Sequence, residues 1–109
     1  MNLEDIMGRF GHLGIREERC RTDDYGELVF YNREIHEWNK IFADTLGPPT
    51  KPAGVEPTEE HLSLARDHGG VWAEQTLFKK EFGDVTVIAM FWPWQDDRHT
   101  TLKIALLKE

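Results

Sequence analysis

Glu74 stands between Trp72 and Thr76 in an apolar run. A carboxyl group held among apolar side chains keeps its proton more tightly, the usual preparation for general acid or base catalysis. No second carboxylate stands at a spacing that marks it as a partner, and His99 or His61 would have to complete such a site. The competing reading places Glu74 near a strand end, reaching water or a basic side chain.

The other reactive types are less organised. His61 and His68 are seven residues apart on one expected helix, which separates them by about 10 Å along the axis and prevents one ion from bridging them. The i, i+4 histidine pair of a zinc helix is absent. Asp96, Asp97 and His99 could offer oxygen and nitrogen ligands from a turn, without the glycine and terminal glutamate of a calcium loop. His36 falls on the polar side of its helix, and His12 adds no useful spacing. Ser63, the only serine, lies inside an expected helix and lacks the strand-to-helix elbow of a hydrolase nucleophile. Cys20, the only cysteine, rules out an intrachain disulfide and a thiolate zinc cage, and reads as a structural thiol. Neither a metal nor a cofactor is expected.

Tryptophan is the more suggestive type. Trp92 and Trp94 flank Pro93 in FWPWQDDRHT, with Trp72 upstream, and indoles that combine a large apolar area with one donor concentrate at interfaces. Because proline cannot donate to a ladder and a polar run follows it, FWPWQDDRHT reads as a strand end plus a turn, with Trp94 the most exposed of its rings.

The elements that position these residues follow from period and punctuation. Leu3, Ile6, Met7 and Phe10 recur at helical spacing after Asn2 as cap, and Gly8, Gly11 and Gly14 turn the next segment into a linker. Residues 15–21 and 27–31 form a hairpin around Thr22-Asp23-Asp24-Tyr25-Gly26. In its first strand arginines alternate with glutamates, a self-paired solvated face instead of a phosphate track. Asn32 is placed to cap a helix whose inner face carries Ile35, Trp38, Ile41, Phe42, Thr45 and Leu46 and which stops at Gly47-Pro48-Pro49. A stiff loop to Pro57 follows. Thr58 caps a further helix, with Leu62, Ala65 and Leu64 as its inward candidates and Gly69-Gly70 at its end. Strands are expected over 71–81, 84–93 and 100–107.

This order makes one α+β domain over residues 1–109: a short N-terminal helix, a hairpin, two helices and a three-stranded C-terminal meander in a mainly antiparallel sheet. Its 109 residues suffice for a thin core, and 39% hydrophobic content excludes a disordered chain. A formal charge of −7 repels phosphate backbones and anionic lipids, so neither nucleic acid nor a membrane surface is an expected partner. The acidic opening Met1-Asn2-Leu3-Glu4-Asp5 is unlike a secretory leader, and with one cysteine a cytoplasmic location is expected.

In the strand over 84–93 both faces are apolar: Val85, Val87, Ala89 and Phe91 on one, Ile88, Met90 and Trp92 on the other. Two helices cover one face, which leaves the second for a partner, a ligand or internal cover. The expectation is a noncatalytic binding or interaction module that self-associates as a homodimer through the C-terminal sheet. Its contact residues are Trp72, Glu74, Trp92 and Trp94, and its partner is itself or another protein, with a small ligand admitted. The alternatives are a small enzyme using Glu74 with a histidine, and an acidic regulatory protein docking on a basic partner.

Overall fold

Leu102, Ile104 and Leu106 alternate with Thr101, Lys103 and Ala105 along the chain, and a period of two puts the former on one face of a strand and the latter on the other. That strand, β5 (His99–Lys108), is the centre of the fold. The computed structural model describes residues 3–10 and 13–108, apart from the side chains of Phe10 and Lys108. Asn2, the expected first cap, and His12 lie outside the described residues. Strands β1 (Ile15–Arg21), β2 (Tyr25–Tyr31), β3 (Thr76–Phe82), β4 (Val85–Pro93) and β5 form one antiparallel sheet in the order β1-β2-β5-β4-β3. The N-terminal hairpin and the C-terminal meander therefore share one sheet, joined where β2 pairs with β5 from Tyr25↔Ala105 to Tyr31↔His99.

The first face carries Leu28 and Phe30, Leu102, Ile104 and Leu106, Val87, Ala89 and Phe91, and Phe78. Helix α1 (Leu3–Met7) and helix α2 (Ile35–Leu46) cover it with Leu3, Ile6 and Met7 and with Trp38, Phe42 and Leu46. Phe91 is the hub: its ring meets Phe30, Phe42 and Phe78 edge-on at 5.5, 5.6 and 5.5 Å, an arrangement that the aromatic quadrupole favours. Gly26 admits α1 closely, since a Cβ there would stand 3.2 Å from Ile104 and 3.4 Å from Leu3 and Met7.

The second face is covered from within the chain. Helix α3 (Glu59–Ala65) and the 3-10 turn Arg66–His68 lie over Leu77, Ile88, Met90 and Ala105, burying Ala65 and Val71. Thr58 caps α3 as expected. Its Oγ1 accepts the His61 N–H at 3.3 Å, and its own N–H donates to His61 Nδ1 at 3.0 Å, a capping box closed by histidine. The apolar second face of β4 is thus a covered core surface.

Three expectations need correction. Residues 71–75 are not strand: Trp72 N–H donates to the Gln75 side chain (2.9 Å), Gln75 N–H to the Trp72 carbonyl (3.1 Å), and the chain turns before β3 starts at Thr76. Backbone groups of this turn are claimed by the preceding loop, which removes them from any ladder. Leu62 points outward and is 45% exposed, because Ala65 and Leu64 take the inner face of the short α3. Asn32 does not cap α2. It opens the 3-10 turn Asn32–Glu34, and its side chain instead accepts the Thr100 hydroxyl at 2.6 Å. Glu34 occupies the cap position without a capping bond, its Oε1 accepting the Gly14 N–H at 3.2 Å instead.

The two sheet edges are protected differently. β1 is exposed throughout, is broken by two register shifts, and carries the ion pairs Arg16–Glu17 (3.1 Å), Arg19–Glu17 (3.3 Å) and Arg21–Glu18 (2.9 Å). Charge and irregularity of this kind discourage edge-to-edge pairing. At the other edge Lys51 pairs with Leu77 through both backbone bonds, 3.1 and 2.9 Å, and caps part of β3.

Candidate functional site

Lys51 explains why the region around Trp72 and Glu74 has its shape. Its side chain is fully buried, and its ammonium donates to the carbonyls of Pro52, Ala73 and Gln75. One cation thereby ties the proline-rich loop to the 72–75 turn. Burial pushes its pKa down, against the opposing pull of Glu56 and Glu74. A lone lysine among prolines gives no sequence signal of this role.

Held this way, the turn presents Trp72 outward at 59% exposure, on a groove that Leu62 also lines. Glu56, Pro57, Leu62, Gly70, Val71, Trp72 and Ala73 line this shallow groove of about 300 Å³. Glu74 is exposed as well, but it lines a different hollow, a cleft of about 270 Å³ beside α2 with Ile35, Ala53, Phe91 and Pro93. Of the two sequence readings of Glu74, the structure agrees with the one that reaches water instead of the apolar pocket: the carboxylate stands exposed in a turn that lines this cleft.

The remaining two indoles belong to the second face. Trp94 N–H bonds the His99 carbonyl at 2.9 Å, and its Nε1–H donates to Thr101 Oγ1 at 2.8 Å. These bonds lay the ring back over the sheet row containing Thr101 and the fully buried Val29. The guanidinium groups of Arg16 and Arg19 stand over the ring at 5.6 and 5.3 Å. Trp94 is therefore half-buried, a lid on its own sheet instead of a free anchor. Trp92, also half-buried, lies under Lys103, whose Nζ is 3.6 Å from the ring centre and donates to the His68 carbonyl at 3.1 Å. Gly69 is needed above this pair. Its φ of +93° is left-handed, and a Cβ would stand 2.9 Å from Lys103 Nζ and 3.0 Å from the Trp92 ring.

The histidine candidates are engaged structurally. His61 closes the α3 capping box, and His68 stacks on Tyr25 at 4.9 Å. His99 packs 4.9 Å from Trp94 and 5.4 Å from Tyr31, with Nδ1 2.6 Å from Asp96. Asp96 also accepts the N–H groups of Arg98 (2.9 Å) and His99 (3.2 Å). The Arg98 N–H first, and then the His99 ring, hold its carboxyl below the usual carboxylate range. An imidazole oriented by a carboxylate resembles half of a catalytic triad. Here its described neighbours are aromatic rings, and the dyad fixes the β4–β5 turn. Glu74 opens toward the first face while His99 lies on the second, so the sheet separates the residues an enzyme would have combined. Among the described residues no group of three histidine, cysteine, aspartate or glutamate side chains could hold a metal ion.

No protein-family model, curated protein or solved structure matches this chain. The candidate site residues Trp72 and Glu74 line separate hollows, an apolar groove and a mixed cleft. No helix is long and apolar enough to cross a membrane among the described residues.

Proposed function

We propose that this protein is a noncatalytic interaction module that receives an apolar, basic-flanked segment of a partner protein in the Trp72 groove. One observation carries the reading: two large apolar side chains, Leu62 (45%) and Trp72 (59%), are exposed along one groove while the core residues are covered. Contiguous apolar exposure with a tryptophan at its centre is the usual composition of a binding hot spot.

The rim sets the partner's sign. Glu56 lines the groove, and Glu59 stands three residues before Leu62 on the same side of α3. Arg66, in the 3-10 turn that follows α3, is an exposed cation four residues after Leu62, and the whole chain carries −7. An isologous dimer through this groove would bring the same carboxylates against each other, a repulsion that complementary partners avoid. Self-association through the C-terminal sheet loses its motive as well, because α3 already covers that face. These features favour a basic partner over a second copy.

The test is an NMR titration of the labelled protein with an amphipathic leucine-lysine peptide and its leucine-glutamate counterpart. Expected are saturable shifts at Leu62 and the Trp72 indole with the basic peptide only. They should weaken as salt rises and fall about thirtyfold or more in affinity on Trp72→Ala. Equal binding of both peptides, or none at the groove, defeats the proposal. So does a dilution-resistant dimer in light scattering that Trp72→Ala dissociates.

A further inference from the structure

We propose that the cleft beside α2 binds a small organic ammonium ion, a primary amine carrying a compact apolar body. The cleft lies where the start of α2, the 72–75 turn and the ends of β4 and β5 converge on the first face. Its walls divide by chemistry: Ile35, Ala53, Phe91 and Pro93 are apolar, while Asn32, Asn39, Thr76 and Thr100 are neutral and polar. Glu74 is the single ionisable residue in the lining.

That composition selects a cation. Glu74 takes part in no ion pair among the described residues, and Lys51, although it feels this carboxylate, has its Nζ committed to three backbone carbonyls. The polar side chains keep acceptors for it beside some remaining donors. Asn39 spends an Nδ2 hydrogen on the Ile35 carbonyl (3.0 Å), which keeps its Oδ1 open, and Thr100 spends its hydroxyl hydrogen on Asn32 (2.6 Å), which keeps oxygen lone pairs. Asn32 Nδ2 remains as a donor for an oxygen on the ligand. An ammonium group, with three donors and no acceptor, matches this set, and a carboxylate or phosphate would meet Glu74 with like charge.

Size fixes the rest. About 270 Å³ is just below the range of pockets for drug-sized molecules, so the ligand is a fragment with one ring or a short branched chain. The nearly buried Phe91 ring and Ile35 give that body an apolar wall.

This site is separate from the Trp72 groove, and its test does not depend on a protein partner. Benzylamine, a cation at neutral pH, would be titrated into the labelled protein to about 10 mM beside benzyl alcohol and benzoate, which share its shape. The expected result is saturable shifts at the Asn32 and Asn39 side-chain amides and at the Thr76 and Thr100 backbone for benzylamine, with benzyl alcohol at least about fivefold weaker and benzoate silent. Glu74→Gln, conservative and on an exposed turn, should reduce benzylamine affinity by about fivefold while leaving the rest of the spectrum unchanged. Absence of saturable shifts at the cleft overturns the proposal. Binding of benzyl alcohol as strong as that of the amine, or an undiminished Glu74→Gln variant, overturns it equally.

Discussion

Replacing Lys51 by Met should destabilise the protein although methionine keeps most of the buried stem. The three carbonyls that Lys51 serves are not equally dependent on it. Ala73 O also accepts the Gly54 N–H at 2.7 Å, and Pro52 O has the Val55 N–H at 3.4 Å. The Gln75 carbonyl has no other donor among the described residues. The variant therefore orphans one carbonyl, at about 1–3 kcal/mol, and removes two further charge-assisted bonds of about 1.5–3 kcal/mol each before solvent compensation. Against this stands relief from burying an ammonium, on the order of several kcal/mol; the same burial pushes its pKa down. Because the carbonyls stay behind in the variant, the loss should prevail, with a net cost of about 2–4 kcal/mol, a large part of a domain's usual 5–15. Urea unfolding followed by tryptophan fluorescence should show a midpoint lower by on the order of 1–3 M at unchanged slope. Hydrogen exchange should accelerate at the Gly54 and Gln75 amides, since the loop and the turn lose their common tie. A cost below about 1 kcal/mol, or a gain, would refute the argument that the carbonyls outweigh the buried charge.

Two further outcomes probe the core and the second face. Phe91→Ala removes the ring on which Phe30, Phe42 and Phe78 converge, and should cost about 3–5 kcal/mol in denaturant titration. Tyr25 is held well above the ordinary phenol value by burial and then by its 2.7 Å bond to Glu27. Above about pH 10 the unfolded chain releases this proton while the folded one keeps it, so stability falls as pH rises. Tyr25→Phe should flatten that alkaline loss. Lys51 and Lys103, whose lowered pKa values act in the opposite direction, are present in both proteins, so the difference between the two pH profiles isolates Tyr25.

What the sequence could disclose was local. Thr58 and the glycine after His68 mark helix ends through chemistry contained within a few residues, and both hold in the structure. The alternation through β4 is equally local and gave both its faces, along with the α+β class. Where a side chain's role depends on distant backbone, the pattern misled. Trp72 and Glu74 sit in an apolar, β-rich run, yet a lysine more than twenty residues earlier claims that backbone for a turn. Leu62 obeys helical spacing, but α3 is only seven residues long and Ala65 with Leu64 exhausts its inner face. Asn32 is an excellent cap by type, and Thr100, 68 residues away, takes its side chain. The polar lining of the cleft likewise comes from four separate segments, which no spacing rule connects.

The central position of β5 bears on how the chain is made. On a ribosome the N-terminal hairpin and β4 emerge with one flank each unpaired, and both wait for the same strand, the last of the five to be synthesised. Until then Leu28, Phe30 and the apolar rows of β4 lack their central neighbour, and the nascent sheet is at its most exposed to aggregation while β5 is still inside the exit tunnel. Emergence of β5 from the exit tunnel, instead of any earlier step, should set when the native sheet closes.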